Sequence, residues 1–158
     1  MHSVIIQLGV EPLKKEEYVS EEEFFCDHWF TNEIADYVSD CSDEERLDAL
    51  NILSNRSGIE VSEDEGGKYI VVTDKEKFFE QAYNSFQENL KKLSNLSLKG
   101  FSRYDSSVDW SIRKLNENYE DKQGIYIYQY RELCTIAEFV RFYDGGKYYI
   151  GGVLDYHL

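Results

Sequence analysis

Proline is all but missing from this chain: Pro12 is the only one in 158 residues. One proline leaves room for long helices and uninterrupted central strands. Histidine and cysteine are also scarce, at three each. Cys26, Cys41 and Cys134 are odd in number and far apart, which excludes a disulfide framework and a C-x-x-C redox pair. They read as reduced thiols of a cytoplasmic protein. No apolar run approaches the roughly 18 residues of a membrane span. Val4-Ile5-Ile6 is cut short by Gln7 and has no basic flank, so it does not form an export signal. Asn55-Arg56-Ser57 and Asn95-Leu96-Ser97 are therefore chance matches to the glycosylation triplet.

Catalytic motifs are lacking too. There is no G-x-S-x-G, P-loop, H-E-x-x-H or G-x-G-x-x-G. The glycine pairs at 66–67, 145–146 and 151–152 read as turns or strand kinks, not phosphate cradles. Basic residues are scattered, which argues against nucleic acid as a partner. No cofactor is expected, and the absence of a hydrophobic span leaves no membrane partner.

What the chain has is acid and aromatic side chains. The formal charge is −14, and aromatics make up 15% of the residues. A disordered acidic chain would have few aromatics, so a packed core is expected. The acid is concentrated. Residues 1–48 carry −11 (3 − 14), residues 49–102 carry −1 (7 − 8), and residues 103–158 carry −2 (7 − 9).

Ser3 to Leu8 reads as a strand, and Glu11 to Val19 as a loop. Ser20-Glu21-Glu22-Glu23 has the form of a capping box opening a helix. Its apolar residues run through Phe24, Phe25, His28 and Trp29, then Phe30, Ile34, Tyr37 and Val38, with a bend or a second cap at Thr31. Ser42-Asp43-Glu44-Glu45 is another capping box, with Leu47, Leu50 and Leu53 on one face and Gly58 near the end. Ile59 to Thr73 reads as a hairpin. Thr73-Asp74-Lys75-Glu76 opens the clearest helix, about residues 74–96, with Phe78, Phe79, Ala82, Phe86, Leu90 and Leu93 at helical spacing. Ser106 or Ser107 caps a further helix carrying Val108, Ile112, Leu115 and Tyr119. Gly124 to Tyr130 is a strand. Thr135-x-x-Glu138 favours a short helix over a strand at 136–143, and Lys147 to Asp155 is a final strand. The similarity of Asp64–Ile70 to Asp144–Ile150 reads as shared turn chemistry, not duplication.

These elements predict a single α+β domain over residues 1–158. A mainly antiparallel sheet of about five strands packs on one face against the 74–96 helix and shorter helices. An acidic helical portion occupies about residues 11–57.

Three clusters could carry chemistry. In Cys26-Asp27-His28, helical residues two apart point about 200° away from each other, so Cys26 and His28 do not form a nucleophile–base pair. Nearby carboxylates also suppress the thiolate. Asp155 and His157 share a strand face and could begin a metal edge; a surface strand with Tyr156 packed inward is the simpler reading, and no metal is expected. The Glu21–Glu23 and Glu44–Glu45 clusters sit where acid stabilises a helix N-terminus by about 0.3–1 kcal/mol per charge. The Glu63–Glu65 cluster belongs to a turn.

The expectation is a non-catalytic acidic protein that binds a basic protein surface. Its sharpest form is a nucleic-acid mimic, an inhibitor or immunity-type protein whose carboxylates imitate phosphates. Glu16, Glu17, Glu21, Glu22, Asp36, Asp40, Asp43, Glu44 and Asp48 would form the binding face. The alternatives are a small carboxylate-dependent hydrolase, or a structural protein that self-associates through tyrosines of the strands at 125–130 and 148–156.

Overall fold

The computed structural model describes residues 2–25 and 28–158. It is α+β, with one mostly antiparallel sheet of seven strands in the order β3-β4-β7-β1-β5-β6, and β2 paired to β7. The strands are β1 His2–Gly9, β2 Tyr37–Asp40, β3 Ile59–Asp64, β4 Gly67–Val72, β5 Tyr126–Gln129, β6 Glu132–Thr135 and β7 Tyr148–His157. The sheet is larger than the five strands expected, because β2 and β6 are four residues each and carry little pattern of their own. Strand β7 is central. It pairs with β1 along its length, and with β4 and β2 at its two ends. Strands β1 and β5 are parallel; the other pairs are antiparallel.

Successive residues of β1 and β5 point to opposite faces. Ile6, Leu8, Ile127, Ile150 and Val153 enter one core with Ala49, Leu50, Leu53, Ile136 and Phe139. Ile5, Tyr126, Tyr128, Leu154 and Tyr156 enter a second core with Phe24, Phe30, Ala35 and Val38. The sheet is therefore covered on both faces, not one. The first face carries α2 (Asp43–Ser54) and α6 (Ile136–Phe142); the second carries the acidic segment that leads into β2. Phe30 is fully buried and meets Tyr126 and Tyr156 edge to face at 4.7 and 5.1 Å. Such pairs add about 0.5–1.5 kcal/mol beyond burial. Tyr126 and Tyr156 thus lie inside the molecule, whereas Tyr130, just past the end of β5, is exposed.

The acidic segment departs most from the sequence reading. Instead of one bent helix, residues 20–40 form a 3₁₀ turn at Glu21–Phe24, a short helix α1 (Trp29–Glu33) and β2. Ser20 makes no capping hydrogen bond through its side chain. The α1 cap is His28, whose Nδ1 accepts from the Phe30 N–H at 3.2 Å. Cys26 and Asp27, the other two members of that cluster, lie outside the described residues. Pairing of Tyr37–Asp40 with Leu154–His157 overrides the helical spacing.

Elsewhere local signals hold. Ser42 and Glu45 form the capping box of α2, although Leu47 faces solvent and Ala49 takes the third buried position. Asp74 caps α3 (Lys75–Ser94), and Thr135 caps α6. The following helices are α4 (Leu98–Phe101) and α5 (Ser106–Glu120), the latter capped by Asp105, not by a serine. Helix α3 meets the sheet core through Phe78 and Phe79, then continues past it and pairs with α5. The seam between the two is polar: Asn89 and Ser111 are buried, and Asn118 donates to the Ser85 hydroxyl at 2.9 Å.

The Asp64–Ile70 and Asp144–Ile150 segments meet in space. Tyr69 pairs with Tyr149, and Lys147 Nζ lies 2.7 Å from Asp64 Oδ2. One copy is a hairpin turn and the other a helix-to-strand loop, as expected for shared turn chemistry.

Candidate functional site: an acidic edge and its adjoining cleft

The acidic segment is tied to the sheet by one side chain. Gln7 of β1 accepts at Oε1 from the N–H groups of Val19 and Gly152, both at 2.8 Å, and donates from Nε2 to the Glu17 carbonyl at 3.0 Å. The approach is close enough to require glycine beneath it. A Cβ on Gly152 would fall 2.6 Å from the Val19 carbonyl oxygen, and one on Gly151 would fall 2.5 Å from Gln7 Oε1. The register of β1 on β7 shifts between Ile6 and Leu8, and on the other side of β7, among the described residues, no strand lies between its β4 and β2 pairings. Arg46 fills the position, donating to the Gly151 carbonyl and lying 5.1 Å from the Tyr18 ring centre.

This anchoring shapes an open cleft of about 730 Å³ at the C-terminal ends of the parallel strands β1 and β5. Val10, Pro12, Leu13 and Tyr130 contribute apolar surface, and Glu11, Glu17, Glu22 and Glu23 contribute carboxylates. Arg131 lies 3.4 Å from Glu23. Burial, then the Glu23 carboxylate, raises the Tyr128 hydroxyl above its ordinary value of 10.0. Tyr130 and Arg131 both adopt positive φ, at 54° and 66°. They form the two-residue turn joining β5 to β6, a geometry that normally selects Asn-Gly. Two bulky residues held there at the cleft rim cost on the order of 1 kcal/mol each.

The nine candidate carboxylates do not share one flat face. Glu17 and Glu22 line the cleft. Glu16 is exposed in the 3₁₀ turn Lys15–Glu17, where the Glu17 carboxylate accepts from the Lys14 N–H at 2.8 Å. Glu21 and Asp40 are locked together at the β2 edge. The Glu21 N–H donates to Asp40 Oδ1 at 2.8 Å, and the Asp40 N–H donates to Glu21 Oε2 at 3.2 Å. Asp36, at the other end of β2, lies 3.6 Å from His157 Nδ1. Asp43, Glu44 and Asp48 are exposed on α2, across the sheet from the turn that carries Glu21 and Glu22. The carboxylates therefore wrap around the β2 edge.

Sequence reasoning missed Glu11, Glu23, Tyr128 and Arg131 as parts of one site. Glu23 and Arg131 are 108 positions apart, and no local pattern links them.

The arrangement offers little for acid–base or nucleophilic chemistry. Asp121 is the carboxyl that burial raises above 3.8, an effect opposed by Arg56, and it lies outside the cleft lining. Burial, aided by Asp155 and Glu45, pushes the Cys41 thiol up to about 11. Burial, aided by Glu138, does the same to Cys134, also to about 11. Tyr156 is fully buried and its hydroxyl donates to the Gly124 carbonyl, as the simpler reading anticipated, but the strand is the central β7, paired on both sides by β1 and β2, not a surface strand. Among the described residues, no three metal-ligating side chains converge, and no helix is long and apolar enough to cross a membrane. Comparison with family models, with curated proteins and with solved structures finds no match to this chain.

Proposed function

We propose that this is a non-catalytic interaction protein whose acidic N-terminal portion binds a basic protein surface. The observation that carries this reading is the β2 edge. There Glu21 and Asp40 hold each other through backbone amides, with Asp36 and Asp43 close by in the chain. Each of the two locked carboxylates uses one oxygen for the fold and keeps the other for a partner. Fixing them before binding lowers the ordering cost that long acidic side chains otherwise incur. A field of this sign also speeds encounter with a basic partner. Because the acid wraps an edge, a partner that imitates its nucleic-acid contacts here would need a groove that closes around β2, not a flat basic face.

The test is a titration with an oligolysine peptide at several ionic strengths. Three proteins are compared: wild type; the variant Glu21→Gln, Glu22→Gln, Asp36→Asn, Asp40→Asn; and a control with Glu63, Glu76, Glu80 and Glu88 changed to Gln. Both variants lose four charges. The amide side chains keep the oxygen acceptors that join Glu21 to Asp40. Binding is expected to fall at least tenfold in the first variant and little in the control. Equal losses in both would reduce the acid to net charge and contradict the reading.

A further inference from the structure

The end of the α3–α5 hairpin has the opposite charge from the rest of the molecule. Residues 90–104 contain Lys91, Lys92, Lys99 and Arg103 and no acid. Within them Leu98, Phe101 and Tyr104 are 83%, 75% and 86% exposed. Large apolar side chains this open, ringed by cations, are unusual on a chain of net charge −14. From Phe79, which packs on the sheet core, to Ser94 the helix advances 15 residues (94 − 79), or roughly 22 Å. The tip thus lies more than two Debye lengths, about 8 Å each at physiological salt, from the point where α3 meets the sheet core.

We propose that this tip docks into the acidic cleft of a second copy of the chain. The proposal rests on the reading of the acidic portion as a binding surface, and it names one basic surface that portion accepts. Charge complementarity selects the occupant. Residues 90–104 of the tip offer four cations, with Asp105, the α5 cap, as the adjoining acid, and the cleft offers Glu11 and Glu22 exposed at its rim. Apolar surface matches as well: Leu98, Phe101 and Tyr104 meet walls built from Val10, Pro12, Leu13 and Tyr130. The volume of about 730 Å³ lies within the range of clefts that take small groups of side chains or ligands. Arg131, paired with Glu23, is the one cation in this lining, and it leaves Glu11, Glu17 and Glu22 to face the tip.

The contact joins two different surfaces. Each copy in a pair then keeps one unused tip or cleft, so assembly continues head to tail instead of stopping at a dimer. A tip of a few side chains covers less than the ~800 Å² per partner of a standard interface, so a weak contact is expected and the micromolar range is where it is sought.

Sedimentation velocity across that range, at physiological salt, tests it with three proteins. The tip variant is Leu98→Ser, Lys99→Gln, Phe101→Ser; the cleft variant is Glu11→Lys, Glu22→Lys. Wild type is expected to gain average mass with concentration and to pass the dimer without a plateau. Each variant alone is expected to remain a monomer. A 1:1 mixture of the two is expected to form a species of twice the monomer mass and nothing larger, since one supplies the cleft and the other the tip. A wild type that stays monomeric throughout, or a tip variant that still associates, would overturn the proposal. The oligolysine titration of the tip variant, which keeps its acidic lobe, separates the two failures. Binding there beside a monomeric wild type rejects self-docking alone, and no binding rejects the underlying reading as well.

Discussion

At the scale of single residues, several carboxylates that attract notice in the sequence have a structural duty. Glu17 accepts from the Lys14 amide, Glu45 from the Ser42 amide, and Asp64 from the Gly66 amide. At Asp64 both oxygens are used, since the second accepts from Lys147 and the Tyr149 hydroxyl; at Glu17 the amide needs only one oxygen, and the exposed side chain can face a partner with the other. The thiols are the opposite case. Cys41 and Cys134 are shifted from 9.0 to about 11, first by burial and then by nearby carboxylates. A raised value means the folded state favours the protonated thiol. Stability linked to these groups is therefore complete below pH 9.0 and is lost as pH rises toward about 11. In a Cys26→Ser background, a thiol-exchange reagent at pH 8 is expected to react on the order of 100-fold more slowly with folded than with urea-unfolded protein. Equal rates would show that neither thiol is shielded.

At the scale of elements, the β5–β6 turn gives a direct test of stored strain. Tyr130→Asn with Arg131→Gly places the residue types that positive φ prefers into an unchanged backbone. Urea unfolding is expected to show a gain of about 1 kcal/mol or more, and oligolysine binding to be no worse, since Arg131 opposes a basic ligand. A loss of stability would mean that the Arg131–Glu23 contact outweighs the backbone strain. The turn also shows where sequence reading ends. Caps at Ser42 and Thr135 are legible because donor and acceptor lie within three residues, whereas the box at Thr73–Glu76 points to Thr73 and the α3 cap is Asp74, one residue on. Tyr-Arg does not resemble a hairpin turn, and four-residue β6 has no signal apart from its partner β5. Strand β2 was hidden for the same reason. Phe24, Phe30 and Val38 belong to the two out-of-phase apolar runs read as helical and are all buried, yet they reach one core through a 3₁₀ turn, a short helix and a strand. Burial was legible, but the path of the backbone depended on β7, more than a hundred residues away.

At the scale of the whole molecule, acid and cations are concentrated in different elements. The acidic portion wraps the β2 edge and lines the cleft, while the cationic, apolar tip projects on the α3–α5 hairpin. The first feature is visible in the sequence as a charge excess. The second is not, because the same interval that holds Lys91, Lys92 and Lys99 also holds the acids of the β3–β4 turn, and the sum is −1. The cleft is less legible still: its walls come from β1, the acidic segment and the β5–β6 turn. The central claim is that position, not amount, makes the acid functional. Its most direct test is affinity capture from host lysate, with wild type, the Glu21, Glu22, Asp36, Asp40 variant and the equal-charge control as baits at low and moderate salt. The account predicts a basic protein retained by wild type and control and lost from the variant. The same proteins retained by all three baits, or lost equally from both altered ones, would contradict it.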